Sequence, residues 1–277
     1  FRYWGADEER RVIWTLGDAL NGSLWNARSG EKIAPMNEGN QVDWPTFTEN
    51  GKRIYVALPG EGGSIVGLNT ETGLQDTPIM RVSNRFNKPY GVLSKIEGQE
   101  RVLLDDPQTR QLMFWDAVSG KPIELPRQSK APLNAGGYSW SPDHRYVTAI
   151  FADKTCSVWS AKDGKPVATD VSHGMAVSDM GMSPDSKWLF LSSRIEQSIA
   201  LARVRPIESA DANETLASDG LDFQKLTFDF PVRKVAFHPE KPLLVVAGRT
   251  VEQGMLRVID LETAEVVTSI TQDEFGV

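Results

Sequence analysis

Side chains able to perform acid, base, nucleophilic or metal chemistry are few in this chain and do not form recognisable motifs. Its three histidines, His144, His173 and His238, do not share a metal-ligand spacing such as His-x3-His. Asp105 and Asp106 are adjacent, and neighbouring residues in a turn point apart, so they do not predict an acid and base pair. The sequence contains no Gly-x-Ser-x-Gly element or phosphate-binding glycine loop. We therefore predict no catalytic residues, no metal site and no cofactor.

The overall composition argues against several other functions. The 277 residues are 40% hydrophobic and 24% charged, as in ordinary globular proteins. The net charge of −7, without a basic stripe, argues against nucleic acid as a partner. No apolar run approaches the length of a membrane-spanning helix, so we predict no membrane insertion. The single cysteine, Cys156, lies in a strand pattern, which predicts a buried and unreactive thiol.

The elements that would position any site are clearest in residues 137–164. Three runs rich in β-branched and aromatic residues, 138–140, 146–151 and 156–159, alternate with turn chemistry. A fourth run, 166–169, follows the next turn. The pattern predicts a sheet of four antiparallel strands. Such a sheet is too small to bury either face alone, so it needs neighbours to stack against.

The end of this unit recurs along the chain. A Trp-x4-Gly segment begins at Trp25, Trp115 and Trp159, and degraded copies begin at Leu68 and Ile259. These positions fit a repeat of roughly 40 to 50 residues. The sequence therefore predicts further copies of the same sheet.

The start of the unit recurs as well. Tight turns between the first and second strands are predicted at 48–51, 141–143, 183–185 and 238–240, each before a hydrophobic run. This signal is partly independent of the Trp-x4-Gly endings, and it supports the same repeat.

Several of these segments resemble a known family. The run 173–185, with the endings at Trp115-Asp116 and at Trp159, is similar to WD40 repeats. The resemblance covers nearly the whole chain and implies an all-β protein, a β-propeller of four-stranded blades. It implies little about function, because propellers of this family perform many unrelated tasks.

Six units are recognisable and together predict a single propeller domain spanning 1–277. A polar insertion at 208–222 carries five acidic residues and no Lys or Arg. Two interpretations of it stay open, a solvated loop and a docking segment for a basic partner. The predicted blades are residues 1–36, 42–80, 89–125, 137–169, 175–207 and 232–270.

The closure of the ring has two explanations. The first and last units both look complete, which fits a six-bladed ring joined face to face. A longer ring, commonly seven-bladed in the family, with flanking sequence missing is the other. The chain begins at Phe1 inside a strand pattern, which favours a piece of a longer polypeptide. No targeting segment is visible, and the expected location is cytoplasmic.

The resemblance also implies a hydrogen-bond network that fixes a blade. His173 matches the histidine of the family's Gly-His pair, which bonds a Ser or Thr of the second strand and an Asp of the next turn. Ser192 or Ser193 is the expected partner, although the following turn and the replaced Trp leave the network partial. We expect a structural role rather than a ligand contact. The fourth unit keeps three members in place, Thr148, Asp153 and Trp159, without the histidine.

Propellers of this family usually bind partners at one face. It is formed by the loops into first strands and the turns between second and third strands. Aromatic and arginine side chains there are typical of protein recognition. Trp44 and Phe86 have an equally good interpretation as wedges between blades. The predicted binding residues are Trp44, Arg85, Phe86, Arg110, Lys154, Arg194, Arg233 and Arg249.

Two functional hypotheses follow. The first is a non-catalytic scaffold or sensor that docks a protein or peptide. The segments after Gly30, Gly120 and Gly164 are similar to WD40 arrays of bacterial signalling proteins, which implies a regulatory region of a larger multidomain protein. The alternative is a propeller hydrolase acting on a sugar or lactone through the central channel. That alternative needs inward carboxylates or a metal, and Asp179 and Arg2 are the polar exceptions on otherwise apolar innermost strands.

Overall fold

The protein is described by a computed structural model. It covers residues 3–7, 11–48, 50–58, 64–81, 92–96, 99–105, 112–126, 129–204 and 221–273. The chain divides into two compact units, Phe1–Leu125 and Pro126–Val277. Among the residues just given, none of the helices has the length and apolar character needed to cross a lipid bilayer.

The first unit contains strands β1 to β12 and one short 3-10 helix, Met36–Gly39. The strands are Tyr3–Ala6, Val12–Leu16, Gly22–Asn26, Lys32–Pro35, Asp43–Phe47, Arg53–Leu58, Ser64–Asn69, Met80–Arg81, Val92–Ile96, Gln99–Asp105, Leu112–Asp116 and Lys121–Ile123.

The second unit contains strands β13 to β24. They are Leu133–Trp140, Tyr146–Phe151, Thr155–Ser160, Pro166–Ser172, Asp179–Met182, Trp188–Ser193, Ser198–Arg203, Phe223–Thr227, Val232–Phe237, Leu243–Arg249, Gln253–Asp260 and Val266–Asp273.

Each run of four consecutive strands forms one antiparallel sheet, and neighbours in the chain are neighbours in the sheet. We number the sheets first to sixth in chain order, from β1 to β4 through β21 to β24. The predicted all-β class and its four-stranded units are therefore confirmed. The second strand of the fourth sheet, Tyr146–Phe151, has the predicted bounds, because its β-branched and aromatic run is flanked by strong turn chemistry.

The fifth sheet differs from its sequence-based boundary. Its predicted blade ends at residue 207, but the fourth strand is Phe223–Thr227, on the far side of the acidic segment. This strand pairs with β19 over five residues, and Leu221 just before it is buried in the core. Residues 208–220 of the predicted insertion, with residues 205–207 before it, lie outside the described part of the chain. Strand pairing depends on the partner strand, so the short polar sequence Phe-Gln-Lys-Leu-Thr gave a weak local signal.

The turn between first and second strands is built from one repeated set of hydrogen bonds. In the fourth sheet, the Ser141 Oγ donates to the Asp143 carboxylate at 2.7 Å and accepts the Tyr146 N–H at 2.9 Å. Ser183 makes the same two contacts in the fifth sheet, with Asp185 at 2.6 Å and Trp188 at 3.0 Å. These are the predicted Ser-Pro-Asp turns. The Ser and Asp side chains satisfy backbone groups that have no ladder partner.

Adjacent turns of this kind also bond to each other. The Ser186 hydroxyl of the fifth sheet donates to the Asp143 carboxylate of the fourth at 2.5 Å. Burial raises the pKa of Asp143, but the hydrogen bonds from Ser186, Ser141 and Arg145 outweigh it and lower the pKa. Asp143 therefore closes its own turn and joins two sheets.

The sheets of the second unit stack through alternating side chains. On β18, Leu189 and Leu191 pack in a cluster with Val158 of the fourth sheet. The residue between them, Phe190, packs on the opposite side with Leu244 of the sixth sheet. Side chains alternate across a strand, so the fifth sheet buries both of its faces. Cys156 is fully buried in the first of these clusters, as predicted, and burial raises the pKa of its thiol.

The first unit adds a partly buried ionic network to the same stacking. The Arg53 guanidinium binds the Asp76 carboxylate through two nitrogens, at 2.7 and 2.9 Å, and the Glu100 carboxylate at 2.6 Å. The Tyr55 hydroxyl donates to the other Glu100 oxygen at 2.5 Å. Burial raises the pKa of Tyr55, and the bond to Glu100 raises it further. This network joins the second and third sheets within the core.

Candidate docking face and cleft in the second unit

Several loops of the second unit lie at one end of its strands. In a four-stranded meander, the turn between the second and third strands lies at the same end of the strands as the connections into the first strand and out of the fourth. We call this end of the fourth, fifth and sixth sheets the loop face. It comprises the turns 152–154, 194–197 and 250–252 and the connections 173–178 and 228–231.

The structure brings four predicted binding residues to or near the loop face. Lys154 and Arg194 are exposed in second-to-third turns, and Arg249 is exposed at the end of β22 beside the third such turn. Arg233 is exposed near the start of β21. Trp44 belongs to β5 in the first unit, and its side chain is not among those described. Arg85, Phe86 and Arg110 lie outside the described residues.

Two aliphatic residues at the turn tips are unusually exposed. Ile195 is 83% exposed and Val251 is 91% exposed. Each lies within two residues of an exposed arginine, Arg194 or Arg249. Arginine is among the residues that contribute most affinity in protein interfaces, and a neighbouring exposed aliphatic side chain adds apolar area that a partner can bury.

Glu196 holds the turn that carries Ile195. Its carboxylate accepts the Ala176 N–H at 2.9 Å and binds the Lys225 ammonium at 2.7 Å. The hydrogen bond from Lys225, followed by that from Ala176, lowers the pKa of Glu196. The Ser193 Oγ accepts the Glu196 N–H at 3.1 Å. The turn is therefore connected both to its own strand and to the connection 173–178.

His173 lies beneath the loop face and is 8% exposed. Its backbone N–H donates to the Lys154 carbonyl at 3.0 Å, and its ring Nδ1 accepts the Met175 backbone N–H at 3.2 Å. Burial lowers the pKa of His173, while the Thr155 carbonyl and the Asp153 carboxylate oppose that shift. The ring edge also contacts Phe223, with 6.4 Å between the centroids. These contacts are structural, and they link the fourth and fifth sheets.

Three other proposed network residues, Thr148, Asp153 and Trp159, belong to the fourth sheet and its turns. The Trp159 Nε1 donates to the Pro126 carbonyl at 2.9 Å. Asp153 accepts from the hydroxyl of Ser129 and from the N–H and hydroxyl of Thr155, at 3.1 and 2.7 Å. Thr148 Oγ1 is buried and makes no hydrogen bond within the described residues. Burial raises the pKa of Asp153, but the bonds from Ser129 and Thr155 lower it overall.

A cleft of about 270 Å³ opens between β13 and β17, the first strands of the fourth and fifth sheets. Strand β13 is irregular there, because its register shifts between Leu133 and Tyr138. The cleft is lined by Asn134, Gly137, Tyr138, Ser139, Ile150, Val177, Ser178, Asp179 and Met180.

The charged chemistry of this cleft is that of a single carboxylate. Asp179 is the single acidic residue of the lining. Glycoside hydrolysis generally uses two carboxylates on opposite sides of the bond. Within the described ranges, no three His, Cys, Asp or Glu side chains group as a metal site would require.

Several residues in these two regions were not predicted from the sequence. Ile195 and Val251 are single aliphatic residues in otherwise polar turns, and that contrast was the available signal. Glu196 and Lys225 are 29 residues apart across the acidic segment, so no local pattern connects them. Asp179 was recognised as a polar exception on an innermost strand, but its neighbours across the cleft were not.

The geometry of the six sheets matches known structures. A solved β-propeller domain of Cps50 (Swd1) from Myceliophteria thermophila is 12% identical, with a TM-score of 0.52 over 96% of this chain and 84% of that one. The dihydro-heme d1 dehydrogenase NirN, solved in complex with DHE, is 13% identical, with a TM-score of 0.57 over 98% of this chain. The fold is a β-propeller.

The comparisons define the fold and no more than the fold. This chain spans 56% of the length of the NirN chain. One of the two proteins is named a dehydrogenase, whereas the name of the other states only a β-propeller domain. No protein-family model matches the sequence, and no curated protein sequence is detectably similar to it. Function therefore has to be argued from the site.

Proposed function

We propose that this propeller is a non-catalytic docking module that binds a protein or peptide partner through the loop face of its second unit. The single observation that carries the proposal is the pairing of exposed aliphatic tips with arginines, at Ile195 with Arg194 and at Val251 with Arg249. Burying these two aliphatic side chains against a partner would remove most of their apolar area from water.

The rigidity of the loop face supports the same proposal. The Glu196 carboxylate connects the turn 194–197 to Ala176 and Lys225. The Lys154 carbonyl is occupied by the His173 N–H. Binding to an ordered surface costs less conformational entropy than binding to a mobile one. The loop face is therefore suited to recognise one partner conformation.

The wider context is part of the proposal. The similarity of the strand endings to WD40 repeats supports membership of that family and a bacterial signalling role, as a regulatory region in the cytoplasm. The alternative, a hydrolase acting on a sugar or lactone through the central channel, needs inward carboxylates or a metal, and Asp179 is the one acidic residue in the lining of the cleft.

The decisive experiment combines partner capture with surface variants. Proteins captured from the source cells by the immobilised propeller are purified, and their affinities are measured by calorimetry. We expect the double variant Ile195→Ser and Val251→Ser to weaken binding at least tenfold, about 1.4 kcal/mol or more. Both side chains are exposed, so stability should change by less than about 0.5 kcal/mol per site.

Val118→Ser supplies the matched control. Val118 is also an exposed aliphatic residue, at 59%, but it lies in a third-to-fourth turn of the first unit. It should leave affinity unchanged. The proposal fails if the loop-face variant binds its partner like the wild type. It also fails if no saturable partner is recovered while the propeller turns over a small molecule.

A further inference from the structure

The cleft between β13 and β17 owes its shape to an insertion in one strand. Leu133 pairs with Phe151 and Tyr138 pairs with Ala149, so four residues of β13 lie opposite one residue of β14. Gly137 makes this possible, because a Cβ there would lie 2.7 Å from two carbonyl oxygens, those of Asn134 and Ile150. Bulges of this kind redirect side chains and frequently occur beside binding sites. The cleft is thus specified by the sequence of this strand.

The polar groups of the cleft are already oriented. Asp179 Oδ1 accepts the N–H of the next residue, Met180, at 2.9 Å, which fixes the carboxylate at the start of β17. The Ser178 Oγ accepts the Arg194 N–H at 3.1 Å and is held in place by the neighbouring turn. Ile150 is buried and Tyr138 is half-buried, and both contribute apolar surface to the lining. An exposed carboxylate at an apolar wall is the arrangement that binds the charged end and the methylene chain of a basic side chain.

The size and charge of the cleft select the ligand. Its volume of about 270 Å³ is below the range of roughly 300–1,000 Å³ that is usual for small-molecule pockets. The lining contains one charged residue, Asp179, and no cation. A single extended side chain carrying one positive charge matches both properties.

We propose that the cleft binds an arginine or lysine side chain of a peptide, with Asp179 as the carboxylate that pairs with its charge. This assignment rests on the proposed docking function and names one chemical requirement of the partner. The loop face provides the apolar contacts at Ile195 and Val251. The cleft reads a basic residue in the same peptide.

The test uses blocked amino acids as probes and the protein's own methionine as the reporter. Met180 lines the cleft, so its ¹³C-labelled ε-methyl NMR signal, assigned with Met180→Leu, reports binding there. N-acetyl-arginine amide and N-acetyl-lysine amide are titrated against the uncharged N-acetyl-citrulline amide. We expect saturable shifts with the basic probes, with Kd on the order of 1 mM, and at least fivefold weaker binding of citrulline.

A pair of variants separates Asp179 from general electrostatics. Asp179→Asn should weaken binding of the basic probes at least fivefold. Asp222→Asn, an equal change of charge at an exposed residue outside the lining, should leave binding unchanged. The wild-type comparison of arginine with citrulline needs no variant, so it remains decisive if Asp179→Asn fails to fold.

Four results would overturn the proposal, three with the probes and one with the partner. The first is equal binding of arginine and citrulline probes, and the second is an equal loss in Asp179→Asn and Asp222→Asn. Agmatine, which keeps the guanidinium and has a second amine in place of the peptide groups, is the third arm. If it binds tenfold more tightly than N-acetyl-arginine amide, the ligand is a small amine rather than a peptide. If Asp179→Asn loses probe binding but binds the protein partner like the wild type, the cleft assignment is refuted and the docking function stands.

Discussion

The turn between third and fourth strands places one non-glycine residue, Ala264, in a strained conformation. The equivalent positions, Gly30, Gly73, Gly120 and Gly164, have φ of +74°, +70°, +66° and +71°. Ala264 has φ of +57°. In each turn that ends at Gly30, Gly73 or Ala264, the residue four positions earlier accepts two backbone N–H groups with its side chain, as Asp260 does at 2.8 and 3.1 Å.

The strain at Ala264 predicts that Ala264→Gly stabilises the protein. A residue with a Cβ costs roughly 1–2 kcal/mol in this left-handed region. The substitution by glycine also destabilises by roughly 0.4–1 kcal/mol, because glycine increases the conformational entropy of the unfolded chain. The expected net effect is an increase of about 0.5–1 kcal/mol in the free energy of unfolding.

The same reasoning predicts opposite changes at two glycines. A Cβ at Gly30 would meet nothing within 4 Å, so Gly30→Ala tests the backbone conformation alone. It should lower the free energy of unfolding by about 0.5–1 kcal/mol. At Gly73 a Cβ would lie 2.3 Å from the Pro35 carbonyl oxygen. Steric overlap adds to the backbone strain there, and Gly73→Ala should cost about 2–4 kcal/mol.

Urea unfolding followed by tryptophan fluorescence and far-UV circular dichroism measures these changes, with the midpoint and slope fitted for each transition. Ala176→Gly is the control, since Ala176 is exposed in the connection 173–178 and does not have a positive φ. It should destabilise by about 0.4–1 kcal/mol through entropy alone. If Ala264→Gly destabilises as much as Ala176→Gly, the strain argument is refuted.

Two further predictions concern buried polar groups. Because burial lowers the pKa of His173 in the folded state, the unfolded chain binds a proton more readily. Stability should therefore fall as pH drops below about 6.5, the pKa of an unperturbed histidine, and should be unaffected by this group above it. His173→Asn keeps an acceptor for the Met175 N–H, and it should remove the decrease in the free energy of unfolding that His173 causes between pH 7.5 and pH 5, measured by urea titration. An unchanged pH profile would contradict this prediction. Tyr55→Phe should cost about 2 kcal/mol, because the buried Glu100 carboxylate loses a donor. The cost should shrink in a Glu100→Gln background, and an equal cost in both backgrounds would argue against coupling of the two groups.

The turns show how local chemistry made much of this fold predictable. The bonds that close the Ser141 turn span at most five residues, from Ser141 to Tyr146. The glycine at the end of the third-to-fourth turn meets a backbone requirement of that residue itself, as at Gly30. Such signals lie in consecutive residues, so the repeat and its four-stranded units could be predicted from the sequence.

The fifth sheet contains a strand that local sequence signals did not predict. Phe223–Thr227 is a strand because β19 offers it a partner and Leu221 fills a space in the core. The distance along the chain between β19 and β20 removes any local cue to that pairing. The predicted boundary at 207 assumed that the fourth strand follows the third closely in sequence. Strand pairing instead places the fourth strand at Phe223–Thr227.

The sequence by itself determined the repeating sheet, its turns and the end of the strands at which the loop face lies. Tertiary structure alone decided which side chains meet between sheets: Ser186 with Asp143, Glu196 with Lys225, and the bulge of β13 with Asp179. The physical reason is range. Turn chemistry acts between residues a few positions apart, whereas these contacts join residues 29 to 43 positions apart, or residues on two separate strands, and form only when the sheets stack.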